Sequence, residues 1–322
     1  MTEVEVVIWG AGISGSQLAS SLAKAGISTV VIPRGPASYP VLPGVGAVGT
    51  SNRHRATRES ELLAEASANG ATVLRDESIA SLLPTAGAIR TVLTDRQSIT
   101  TRCVVFADGS DPRIGRDKGF LPEWDPWQLV HFAWQKVTNT AHADIVIAGS
   151  RDGHAWRGYV ANVEGEVWLG VGWFLEHEMN SHIHVTELLV DLQMALSLGG
   201  TFVGDPRVEV VPYEPRRLAA SFCADNVMAV GDLTGIVNPL SLRRTEISLK
   251  IGVSASRMIE QWLQGESAVR FEPHKVGALF RPYVEASWQN DNGPPMSPVP
   301  RPPERKNRFA ALLQRVADRT QR

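Results

Sequence analysis

The chain has 322 residues, enough for about two domains. Apolar residues make up 43% and charged residues 20%, the balance of a folded globular protein. Its formal net charge of −2 excludes a general electrostatic attraction to nucleic acid or anionic membrane.

Residues Glu3 to Ile32 predict a β-α-β unit. Val4 to Trp9 is apolar apart from Glu5, as in a parallel strand buried on both faces. The turn Gly10-Ala11-Gly12-Ile13-Ser14-Gly15 follows, then a helix through Leu18, Leu22 and Ala23 that Gly26 ends. Thr29 to Ile32 predicts a second buried strand, and Pro33 to Gly49 a loop rich in Pro and Gly. A helix is expected from about Thr57 to Ala68, with Leu62, Leu63 and Ala66 on one face and a stop at Asn69-Gly70. Short strands are expected around Thr72-Leu74, Ile89-Leu93 and Cys103-Phe106, and Asp108-Gly109 closes the segment with a turn.

The texture changes between Leu129 and Val211. The runs His131-Val137, Asp144-Ile147, Ala155-Ala161 and Val167-Trp173 are rich in Val, Ile and Trp and predict an antiparallel sheet. A helix from about Val185 to Leu198 interrupts it. Val227 to Leu263 returns to strand, loop and long helix, with Gly231-Asp232 directly after the apolar strand Val227-Val230. Beyond Asn290 comes a proline-rich spacer, and Arg305 to Arg322 has the pattern of an amphipathic helix with Phe309, Leu312, Leu313 and Val316 on one face. Three placements are open to that helix: docked on the body or a second subunit, loose as a tail, or against a membrane.

Cys103 and Cys223 stand far apart beside apolar residues, the setting of small buried hydrophobes rather than of a disulfide framework or metal cluster. No apolar run reaches the ~18 residues of a membrane span. The N-terminus enters a strand too soon for a signal peptide. A cytoplasmic protein is expected.

The glycine turn carries the first chemistry. Gly10 permits the tight turn, Gly12 lets a pyrophosphate approach the backbone, and Gly15 lets the helix pack close to the strand. The helix N-terminus then offers unpaired N–H groups and partial positive charge to phosphates. Gly10, Gly12, Ser14 and Gly15 are therefore candidate dinucleotide contacts. The acidic residue that normally closes the second strand and binds the adenosine ribose is missing: the strand ends Val31-Ile32-Pro33-Arg34. Pro33 has no acceptor, and Arg34 can reach a phosphate or stack on adenine but cannot accept a hydrogen bond.

Four segments, spread over most of residues 3–265, follow one family's pattern. They are the glycine turn, the run from Arg55 through Arg58-Glu59 to Gly70, the strand Val104 to Gly109, and Gly231 to Gly252. Through them the chain resembles the FAD-binding superfamily of aromatic hydroxylases, geranylgeranyl reductases and lycopene cyclases. It is most similar to the geranylgeranyl-reductase-like branch. The resemblance implies that Arg55 and Asp108 lie beside the cofactor, that Asp232 hydrogen-bonds the ribityl chain of FAD, and that the helix after Pro239 points its N-terminus at the flavin. The two glycines that open this helix in the family are replaced by Leu242 and Arg244, with Arg243 between them. The arginines either crowd the flavin, supply charge to it or to an anionic substrate, or pair at the surface.

The implied fold class is α/β: a discontinuous Rossmann-like FAD-binding domain (1–115 and 222–275), an inserted antiparallel β-sheet substrate domain (116–221) and a C-terminal extension (276–322). The leading expectation is an FAD-dependent monooxygenase or double-bond reductase acting on an apolar or aromatic small molecule, with NAD(P)H as transient reductant and a homo-oligomer or reductase partner in view. Trp156, His154, Tyr213, Arg243 and Arg244 are the candidate reaction-chamber residues, and His131 joins His154 and Tyr213 as an acid–base candidate. The rivals are a non-redox cyclase or isomerase with weakened or lost FAD binding, and a binding protein with a vestigial site.

Overall fold

The computed structural model describes residues 2–33, 55–85, 88–107, 129–138, 145–151, 154–163, 166–174, 185–212, 223–237, 244–265 and 271–289. In chain order the elements are β1 (Thr2–Trp9), α1 (Ile13–Lys24), β2 (Thr29–Ile32), α2 (Arg55–Ala68), β3 (Thr72–Val73), β4 (Ile79–Thr85), β5 (Ala88–Thr94), β6 (Ser98–Phe106), β7 (Leu129–Thr138), β8 (Ile145–Arg151), β9 (His154–Val163), β10 (Glu166–Phe174), α3 (Val185–Ala195), β11 (Thr201–Pro212), β12 (Cys223–Ala224), β13 (Val227–Ala229), α4 (Arg244–Gln264) and α5 (Pro273–Gln289). A single 3-10 turn, Gly231–Thr234, follows β13.

β1 is apolar along its second half because both its faces are covered. It pairs in parallel with β2 and β6, and the sheet runs β12-β13-β6-β1-β2-β3. Val6 and Ile8 face α1, α2, α4 and α5, where they meet Leu18, Leu22, Ala66, Ile251 and Phe280. Val7 faces the other way, against Ile79, Leu82 and Val92 of the β4–β5 hairpin. Each fully buried Val, Leu, Ile or Phe side chain among them contributes about 1.5–3 kcal/mol. The hairpin pairs through β5 with the start of β6, and β13 takes the end of β6.

The second sheet is antiparallel throughout, in the order β11-β7-β10-β9-β8. Its alternation is strict. Ala133, Val137, Trp156, Val160, Leu169, Val171 and Trp173 pack against Leu188, Leu189 and Leu192 of α3. The opposite face carries Gly170 and Gly172 on the central strand. Gly170 stands between Trp134 and Tyr159 in register, and Gly172 between Phe132 and Arg157.

Those glycines leave space for rings. A Cβ built on Gly170 would lie 2.2–2.5 Å from three atoms of the Trp134 indole, which reaches across to stack on Tyr159 at 5.7 Å. Gly170→Ala is therefore expected to displace Trp134 and cost about 1–3 kcal/mol. Urea unfolding measures the loss, and the near-ultraviolet circular dichroism of the stacked pair should change with it.

Three elements depart from the sequence reading. β4 was not anticipated, because Pro84 and Leu82-Leu83 break any alternation; it pairs only with β5, an edge position where proline is tolerated. α5 was not anticipated either, and it contains Pro282, yet Val276 and Phe280 bury it in the core shared with α4. β11 is a 12-residue edge strand with a register shift between Val203 and Arg207. The loop from Arg34, the Asp108-Gly109 turn and the Arg305–Arg322 segment lie outside the described residues.

Candidate functional site

The turn after β1 has the geometry of a phosphate cradle. Gly10 sits at φ +104°, a left-handed conformation that favours glycine, and its N–H donates to the Ile32 carbonyl at 3.0 Å. Gly12 is the N-cap of α1, in extended conformation. Among the described residues no side chain caps this end and no acidic residue lies in its first turn, so the helix dipole and leading N–H groups face outward without a described side-chain partner. Gly15 holds the helix against the strands: a Cβ there would lie 2.5 Å from the Gly10 carbonyl oxygen and 2.7 Å from Ala107 Cβ. Ser14 contributes differently. Its buried hydroxyl donates to the Ser248 carbonyl at 2.9 Å, tying α1 to α4, so only its backbone N–H remains for a phosphate. At the ribose position Pro33 is half-buried at the end of β2.

Gly231-Asp232 lies directly beside this cradle. Gly231 is at φ +69°, and a Cβ on it would lie 2.7 Å from Ser14 Oγ. Asp232 is buried in the 3-10 turn. Arg244, the first residue of α4, donates to it from Nε at 3.1 Å and from one terminal nitrogen at 2.6 Å, both to Oδ2. The side chains are 11% and 3% exposed for Arg244 and Asp232, so this ion pair is shielded from water. The Arg244 guanidinium also lies 5.6 Å from the ring centroid of Phe132. That contact joins the two halves of the molecule: the glycine-bearing face of the second sheet is turned toward Asp232 and the start of α4. Phe132, Trp134, Tyr159 and Arg157 form that wall, all less than 5% exposed.

Solved structures identify the architecture. A geranylgeranyl bacteriochlorophyll reductase-like protein from Thermoplasma acidophilum superposes with a TM-score of 0.68 at 15% identity, covering 89% of this chain and 83% of that one. The chain has the fold of the FAD-dependent oxidoreductases. The flavin-dependent brominase Bmp2 gives 0.65 at 15% identity, covering 89% and 84%. The FAD-dependent myxobacterial chondrochloren halogenase CndH gives 0.62 at 14%, covering 99% and 91%. No family model and no curated protein matches the chain by sequence.

Within this flavoprotein fold the structure brings together Gly10, Gly12, Ser14, Gly15, Gly231, Asp232 and Arg244. It separates Trp156 from them. Strand alternation sends Trp156 to the α3 side, where it packs with Leu192 and Trp173 in the core of the sheet, on the face opposite Phe132 and Arg157. His131 shares that side, in register with Trp173 and 5.7 Å from its ring; burial holds its imidazole toward the neutral form. Arg55 begins α2 and His154 begins β9, with side chains outside the described residues. Arg34, Asp108, Tyr213 and Arg243 lie outside them entirely. Burial raises the thiol pKa of Cys103 and pushes that of Cys223 up to about 11, so both remain protonated packing groups.

The sequence reading missed Phe132, Trp134, Arg157 and Tyr159. The signal was present in Leu169-Gly170-Val171-Gly172-Trp173: glycine at every second position leaves one face of a strand bare, and the neighbouring strands must fill it.

An FAD fits this chain unequally. The uncapped α1 N-terminus and close-packed Gly15 suit a pyrophosphate. The carboxylate implied to hold the ribityl chain is already engaged by Arg244.

Proposed function

We propose that this chain is an FAD-dependent oxidoreductase, a monooxygenase or double-bond reductase, acting on an apolar or aromatic small molecule. The observation that supports the reading is the contact of Phe132 with Arg244, the ion-pair partner of Asp232, which brings an aromatic surface of the second sheet to the Gly231-Asp232 turn. The likeness to a reductase-like protein, a brominase and a halogenase supports the flavin. When bound, FAD supplies the redox chemistry.

The chain's own residues bind, orient and exclude water. Gly10, Gly12, Gly15 and the Ser14 N–H would hold the pyrophosphate, with Arg55 and Asp108 elsewhere beside the cofactor. Gly231 and Asp232 mark the ribityl end. Phe132, Trp134 and Tyr159 offer flat apolar faces to an aromatic substrate. NAD(P)H or a reductase partner supplies electrons.

The Asp232–Arg244 pair and Pro33 favour a second reading, a cyclase or isomerase with weakened flavin binding. The two separate cleanly. Titration of the full-length protein with FAD, followed by the visible band and by flavin fluorescence, is expected to saturate with a shifted spectrum. A spectrum unchanged from free FAD at every concentration sinks the first reading. Turnover of an aromatic substrate without NAD(P)H or oxygen points to the second.

A further inference from the structure

We infer that Arg244 opens and closes the flavin end of the site: it takes the ribityl chain's place on Asp232, and a flavin dinucleotide binds there by exchange with it. The inference rests on the FAD reading and names the residue that sets the affinity. Arg244 stands where the resemblance expects a glycine, at the first turn of α4. Its two charge-assisted hydrogen bonds to Oδ2 and its position over Phe132 occupy the space beside Asp232.

The helix that carries Arg244 cannot withdraw to make room. A Cβ on Gly252 of α4 would lie 2.7 Å from the Ser14 carbonyl oxygen, and Ser14 Oγ bonds the Ser248 carbonyl, so α4 and α1 meet backbone to backbone. Exchange is therefore a swing of the Arg244 side chain. Phe132, whose ring centroid lies 5.6 Å from the guanidinium, can hold the released side chain through its cation–π contact. The α1 N-terminus lies outside the exchange, so the adenosine-diphosphate half of the ligand binds without disturbing Arg244.

This separates the two halves of the ligand experimentally. With ribityl hydroxyls only replacing the bonds that Arg244 gives up, the flavin half adds little net affinity. The full-length protein is expected to bind FAD and ADP with similar affinity by calorimetry. Arg244→Gly is expected to tighten FAD about tenfold or more, the worth of one charged hydrogen bond, and to leave ADP unchanged. Should Arg244→Gly lose its fold by circular dichroism, Arg244→Ala, which restores helix propensity at the start of α4 and leaves Asp232 in place, is read in the same way. FAD affinity unchanged or weakened in a folded variant, with ADP still bound, overturns the exchange and leaves the dinucleotide reading standing. Absence of both FAD and ADP binding from every variant overturns the dinucleotide reading, and the exchange with it.

Discussion

Asp232→Ala is expected to destabilise the protein by about 3–5 kcal/mol, the cost of removing one partner of a buried ion pair. Arg244 cannot discharge itself by losing a proton at any ordinary pH. With an exposure of 11% it cannot reach bulk water without leaving its place over Phe132 and beside the 3-10 turn. The variant must therefore hold this cation without the Asp232 carboxylate or rebuild the start of α4. Urea unfolding of the wild type and variant measures the difference. The double variant Asp232→Ala, Arg244→Met is the decisive partner. A buried ion pair replaced by apolar groups of similar volume is often neutral in stability, so the double variant is expected to recover most of the loss. A single variant within about 1 kcal/mol of wild type would show that the pair is solvated and of the surface kind.

Gly15→Ala is expected to cost about 1–3 kcal/mol and to abolish pyrophosphate binding. The added methyl meets backbone, not the far end of a flexible side chain: the Gly10 carbonyl oxygen at 2.5 Å. Gly10 is itself fixed at φ +104° and hydrogen-bonded to Ile32, so relief comes from moving α1 away from β1. That movement carries the helix N-terminus off the cradle and slackens the packing of Leu18 and Leu22 in the core. Gly26→Ala is the matched control. It adds a methyl at φ +76° with nothing within 4 Å, so it costs only the left-handed strain of about 1 kcal/mol and leaves ADP binding intact. If Gly15→Ala unfolds at the wild-type midpoint and binds ADP equally well, the close approach of α1 to β1 is wrong.

The first half of the site was legible in sequence for a local reason. Gly10, Gly12 and Gly15 act through backbone geometry within a six-residue turn, between a strand and a helix whose apolar patterns are written into the same stretch. Gly231-Asp232 was legible on the same grounds, as a turn following the apolar β13. The aromatic wall was not. Whether Trp156 or its neighbour Arg157 faces the Gly231-Asp232 turn depends on which side of the sheet α3 covers, and α3 lies outside the β7–β10 ladder in sequence. Read alone, β9 gives two opposite faces and no means of choosing between them.

What the sequence by itself determined was the β-α-β start, the antiparallel middle and the glycine turns, because strand and helix periods and the conformational freedom of glycine are properties of short segments. The absence of an acid at Pro33 and the presence of Arg244 in place of a glycine were equally plain in it. Only the tertiary structure decided what those substitutions do. It folds residue 244 back onto residue 232, seals the pair beneath a ring from a different sheet, and leaves the carboxylate implied for a cofactor engaged by the chain's own arginine. An ion pair of this kind is set by burial and by distance across chain segments, and neither is encoded in any one segment.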